Sequence, residues 1–117
     1  VDLGQWWLEQ TGLPLPLGGN AVRRALGRAV GLQVGRAIRE SVAYALDHRE
    51  AAVNYAMQFA RDMDQELADK FIGMYVNKWT LGYGKLGRKA VSEFLTRGVN
   101  AGLIPGPFNA EFLMEEE

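Results

Sequence analysis

A chain of 117 residues is long enough to bury one modest core, and 48% hydrophobic with 23% charged residues is an ordinary globular composition. The formal net charge of -1, from 13 basic and 14 acidic residues, excludes a global field that would draw in nucleic acid or an anionic membrane. With no cysteine there is neither a disulfide framework nor a thiolate metal site, which fits a reducing, cytoplasmic setting. No apolar run approaches the roughly 20 residues of a membrane-spanning helix, and no signal-peptide pattern is visible. The chain opens on Val1-Asp2-Leu3 rather than on Met, and reads as a piece of a longer protein.

In chain order, Val1-Asp2-Leu3 reads as the tail of a strand. Asp2 is placed to cap a short helix, Gly4 to Glu9, that carries Trp6 and Trp7 and stops at Gly12. The two tryptophans cannot share a face, so one belongs to the core and the other to an interface or a covering segment. Leu13-Pro14-Leu15-Pro16-Leu17 cannot be helix, because each proline removes an N–H and biases the residue before it to extended geometry. Gly18-Gly19 follows, and Asn20 to Arg24 resumes as extended chain. From there the pattern is helical. Val34, Ile38, Val42, Ala45 and Leu46 predict a helix over about 28–46. Asp47-x-x-Glu50 has capping-box spacing for a second helix through Ala52, Tyr55, Ala56 and Phe59. Asp64 caps a third, with Leu67, Phe71, Ile72, Tyr75 and Val76 on one side. Residues 79–84 form an extended or irregular link, and a fourth helix runs from Lys85 to Ala101 with Val91, Phe94 and Leu95 inward. The fold class is therefore a predominantly helical α/β fragment: about four helices after a short strand-helix-strand segment. It divides into 1–24, 25–104 and a tail, 105–117, whose Glu115-Glu116-Glu117 end is expected to be solvated.

Candidate chemistry is sparse. His48 is the one histidine, but it sits in a capping turn among charged neighbours, where an imidazole ordinarily faces water. One histidine and no cysteine leave no ligand-spaced metal cluster. Arg23, Arg24 and Arg28 could hold a carboxylate or phosphate bidentately, against the plainer alternative of solvated side chains. Tyr75, Trp79 and Tyr83 read as packing residues rather than a stacking platform. The most informative stretch is Thr11-Gly12-Leu13-Pro14-Leu15-Pro16-Leu17-Gly18-Gly19-Asn20. A stiff apolar segment ending in two glycines suits the lining of a ligand cleft, although an edge strand would use similar residues.

That stretch also carries a resemblance. Val1-Asp2-Leu3-Gly4-x-Trp6-Trp7, the Thr11-to-Gly18 run, Arg23-Arg24 and Leu26-Gly27 resemble the 1,4-dihydroxy-6-naphthoate synthases of the futalosine route to menaquinone. Ser41 to Leu46, Met74-Tyr75-Val76-Asn77 and Thr80-Leu81-x-Tyr83-Gly84 to Gly87-Arg88-Lys89-Ala90-Val91 agree with it. The resemblance covers residues 1 to about 104 and would make the chain a C-terminal part. It implies a type-2 periplasmic-binding-protein-like fold of two lobes with the substrate between them, and a cytoplasmic lyase that releases 1,4-dihydroxy-6-naphthoate from cyclic dehypoxanthine futalosine. The histidine base that the family implies lies upstream of the Val-Asp-Leu-Gly motif, so no residue here inherits it, His48 included, and the chain alone is expected to be inactive. The cleft lining falls on Leu17 and Gly18, with Gly19 and Asn20 adjacent. No cofactor, metal, nucleic acid or membrane is implied. Chorismate dehydratase, which shares the fold but usually carries aromatic residues where Leu15-Pro16-Leu17 stands, is the alternative, as is a solute-binding module without catalysis. Apolar helical stripes of this extent need covering by an N-terminal part of the protein or by a second copy. The isolated chain is accordingly expected to be unstable, partly exposed or oligomeric.

Overall fold

The computed structural model describes residues 1–60, 64–108 and 110–113. Helices dominate: α1 (Leu3–Thr11), α2 (Arg28–Asp47), α3 (Arg49–Ala56), α4 (Gln65–Tyr75), the single turn α5 (Lys78–Leu81) and α6 (Gly84–Asn100), with a 3-10 turn at Arg24–Leu26 before α2. The local reasons are mostly caps. The Asp2 carboxylate accepts the Gln5 N–H at 3.0 Å and starts α1, and the Asp64 carboxylate accepts the Leu67 N–H at 2.8 Å and starts α4. Gly12, at φ 67°, ends α1 in the left-handed conformation that glycine adopts without steric penalty.

Three expectations require correction. The short strands do not form. Leu3 already belongs to α1, because Asp2 caps one residue earlier than the strand reading allows. Residues 12–23 run without helix, but among the described residues no second strand lies beside them, and an extended chain becomes a strand only by exchanging backbone hydrogen bonds with a partner. The capping box at residues 47–50 is also absent. Asp47 remains inside α2, and α3 begins after His48 with no side-chain cap. The 79–84 link is partly helical, because Asn77 and Thr80 build a capping box of their own: Asn77 Oδ1 accepts the Trp79 N–H at 3.0 Å, and Thr80 Oγ1 accepts the Asn77 N–H at 3.1 Å.

The core is small. Trp7, Leu13, Val53, Ala68 and Ala90 are its buried hydrophobic residues. Trp7 meets Phe94 edge to face at 5.6 Å, which joins α1 to α6, and the Arg97 guanidinium stands 5.1 Å from its ring centre. The other tryptophan of the pair, Trp6, is 49% exposed, so the division between a core and a surface tryptophan holds. α2 packs on α3 and α5, and α3, which buries Val53, packs on α4, which buries Ala68. Arg49 spans the α3–α4 pair, with its Nε 2.7 Å from Asp69 Oδ1 and a second nitrogen donating to the Asp69 carbonyl. Residues 111–113 fold back on the body: Glu111 pairs with Arg24, Phe112 meets the Tyr83 ring, and Leu113 lies over Gly31. The acidic end, 115–117, lies outside the described residues.

Much apolar surface remains open. Val30, Val34 and Ile38 form a ridge of four-residue spacing along α2, and Leu67, Phe71, Met74 and Tyr75 form another along α4, each residue at least 38% exposed. On α4 the periodicity marks a stripe that the structure leaves outward, while the buried residue of the helix is the smaller Ala68 beside it. The chain exposes 9292 Å², against roughly 6,300 Å² for a compact protein of its mass. Its radius of gyration is 16.4 Å, against about 13 Å for a compact domain of this length. No helix among the described residues is long and apolar enough to cross a membrane.

Candidate functional site

The segment that follows α1 is anchored at one end and open at the other. Thr11 does the anchoring. Its hydroxyl donates to the Trp7 carbonyl at 2.7 Å and accepts the Leu13 N–H at 3.1 Å, so the chain leaves α1 in a fixed direction. Leu13 is buried at 4% exposure, and Pro14, Leu15 and Pro16 are half-buried. The two prolines stiffen this stretch, since each fixes its own φ and restricts its predecessor. Burial ends at Leu17, which is 62% exposed, and Gly18, Gly19 and Asn20 are exposed after it.

The two glycines differ. A Cβ built on Gly18 meets nothing within 4 Å, so the backbone there faces open space. A Cβ on Gly19 would stand 3.0 Å from the Tyr83 hydroxyl. Tyr83, at the start of α6, is therefore brought against the candidate segment from 64 residues further along the chain. Among the described residues it is the non-local neighbour of that segment which sequence reading assigned to packing alone. Helical spacing gave no sign of it, because the contact is tertiary.

The arrangement can hold a flat, partly apolar ligand: Leu17 offers an apolar side chain, and Gly18 and Gly19 leave backbone groups accessible without a side chain in the way. It contains no acid or base of its own. The basic cluster is partly committed elsewhere, because the Arg24 guanidinium is paired with Glu111, while Arg23 and Arg28 are exposed. His48 lies at the α2–α3 junction, stacked on the Tyr44 ring at 4.0 Å, with Nδ1 2.9 Å from the Tyr44 carbonyl. A carbonyl oxygen only accepts, so Nδ1 carries the proton in that contact. Among the described residues, no group of three His, Asp or Glu side chains is placed to hold a metal ion.

Two curated relatives match most of this chain. It is 42% identical over 105 residues to the 1,4-dihydroxy-6-naphtoate synthase of Streptomyces coelicolor, an alignment covering 90% of this chain and 37% of that protein. It is 42% identical over 108 residues to the 1,4-dihydroxy-6-naphtoate synthase of Thermus thermophilus, covering 92% of this chain and 40% of that protein. The chain thus spans about two fifths of the length of these relatives. The matching family model, described as menaquinone biosynthesis, takes in residues 1–100, which span α1 through α6 with the segment between α1 and α2. On that match and those identities, the chain belongs to the menaquinone biosynthesis family.

Proposed function

We propose that this chain is part of a 1,4-dihydroxy-6-naphthoate synthase, a cytoplasmic lyase that releases 1,4-dihydroxy-6-naphthoate from cyclic dehypoxanthine futalosine. The observation that carries this reading is the 42% identity to two enzymes of that name across nine tenths of the chain. The open Leu17-Gly18-Gly19-Asn20 stretch supports it, as an apolar wall with accessible backbone suited to an aromatic substrate. In this reading residues 13–24 cross between two lobes of a periplasmic-binding-protein-like fold, the helices are scaffold, and the base comes from a part of the protein outside these residues. The surface excess supports the need for such a part, or for a second copy, to cover the ridges on α2 and α4. The 117 residues alone are inactive.

The test is turnover of cyclic dehypoxanthine futalosine by the full-length protein, with and without Gly18→Val. No atom lies within 4 Å of a Cβ at Gly18, so the variant is expected to fold as the parent does, and lost turnover then reports crowding of the substrate. Absence of turnover in the unaltered protein overturns the reading. Normal turnover in the Gly18→Val variant removes Gly18 from the site.

A further inference from the structure

The contact between Tyr83 and Gly19 joins two regions that nothing in the sequence pattern links. The Tyr83 side chain is held at three points. At its root, a Cβ on the buried Gly87 would stand 3.1 Å from the Tyr83 Cβ, so the first turn of α6 leaves room for the side chain by having none of its own. Along the ring, Phe112 packs edge-on at 5.4 Å. At the tip, the hydroxyl stands 3.0 Å from where a side chain at Gly19 would begin, closer than side chains ordinarily approach. Gly19 does not have the positive φ that demands glycine, so what crowds a Cβ at this position is the tyrosine itself. Among the described residues the Tyr83 hydroxyl makes no hydrogen bond. Its contact with Gly19 is thus one of shape.

We propose that Tyr83 is a positioning residue for the Gly18-Gly19 segment: its hydroxyl rests against Gly19 and fixes where the exposed backbone of the cleft wall stands. A segment exposed on its open side and free of regular secondary structure needs a contact of its own to set its depth, since the half-buried Pro16 and the Val22 that meets Gly31 each lie three residues from Gly19. A rigid ring clamped at its root and along its edge supplies that stop. The binding backbone then needs less ordering when a ligand arrives, which places the effect on substrate affinity. This inference rests on the reading of residues 17–20 as a substrate wall.

The experiment is a double-mutant cycle in the full-length protein, with kcat, KM and the melting temperature measured for Tyr83→Phe, Gly19→Ala, the two combined, and Gly18→Ala with and without Tyr83→Phe. Tyr83→Phe keeps the ring and removes the stop, and is expected to raise KM about threefold, moving KM more than kcat. Gly19→Ala drives a methyl against the hydroxyl and is expected to raise KM about tenfold. Combined, the two should not multiply: removing the hydroxyl makes room for the methyl, so KM falls back towards that of Tyr83→Phe alone. Gly18→Ala meets no protein atom, so Tyr83→Phe should give it no such rescue. Multiplicative effects at Gly19, equal rescue at Gly18, or a lowered melting temperature with unchanged KM would each overturn the role given to Tyr83 while leaving the enzyme assignment standing. A full-length parent that does not turn over the substrate overturns the assignment, and the role of Tyr83 falls with it.

Discussion

Trp7 carries a test of how the small core is built, because two of its properties oppose each other. Its side chain is 4% exposed and packs against Phe94 and Arg97, yet its indole N–H is buried without a hydrogen-bond partner among the described residues. Replacing Trp7 with Ala removes the whole ring and leaves a cavity, a change that costs about 3–5 kcal/mol in a packed core. Replacing it with Phe removes only part of the ring. The area lost, at ~25 cal/mol per Å² and up to about 80 Å², costs roughly 1–2 kcal/mol. The same change abolishes the unsatisfied N–H, whose burial costs about 1–3 kcal/mol. The two effects are of similar size, so Trp7→Phe is expected to lie within about 1 kcal/mol of the parent while Trp7→Ala loses at least about 3. The assay is urea unfolding followed by far-UV circular dichroism, with protein concentration held constant because association would shift the midpoint. If Trp7→Phe costs nearly as much as Trp7→Ala, the indole N–H is hydrogen-bonded in the folded protein and the opposition argued here is wrong.

Asn77→Ala should cost about 1–2 kcal/mol by the same measurement, since one side chain caps α5 and also donates to the Gly73 and Met74 carbonyls at the end of α4. Arg49→Ala should destabilise more than Asp69→Asn, because Arg49 also donates to the Asp69 backbone carbonyl. The coupling between the two charged groups in a double-mutant cycle should be about 0.5–1 kcal/mol and shrink in high salt, as both are partly exposed. The 117-residue chain by itself should associate with rising concentration in sedimentation velocity, because its excess of roughly 3,000 Å² over a compact chain exceeds the ~1,600 Å² of a standard interface. A monodisperse monomer that melts cooperatively would contradict that expectation.

Local chemistry was the legible part of this fold. Asp2, Gly12 and Asp64 act on backbone groups three or four residues away, and each caps the helix expected of it, although α1 runs from Leu3 to Thr11 rather than from Gly4 to Glu9. The failures share a cause. Asp47-x-x-Glu50 has the spacing of a cap, but Asp47 is the last residue of α2 and Glu50 already belongs to α3, so the spacing straddles a junction that the rule does not distinguish from a helix start. Residues 20–23 run without helix up to the 3-10 turn at Arg24, with Arg23 extended, but the expected strand is absent, because pairing depends on a partner elsewhere. The candidate site divides in the same way. The stiffness of Leu13 to Leu17 is written in its prolines, whereas the Tyr83 contact at Gly19 and the Glu111 pairing of Arg24 arise from residues 64 and 87 positions away.

The glycines at helix contacts have a consequence for the order of folding. Leu113 fits against Gly31, Tyr83 against Gly87 and Ile104 against Gly98 because those helical positions lack side chains. Each internal glycine lowers intrinsic helix stability by about 1 kcal/mol relative to alanine, and α2 carries Gly31 and Gly35 while α6 carries Gly87 and Gly98. The two longest helices are thereby poor candidates for early, autonomous formation, and an isolated α2 or α6 peptide should be largely unstructured in water. They become helices as their neighbours arrive, so the contacts that close over the glycines form together with the helices rather than after them.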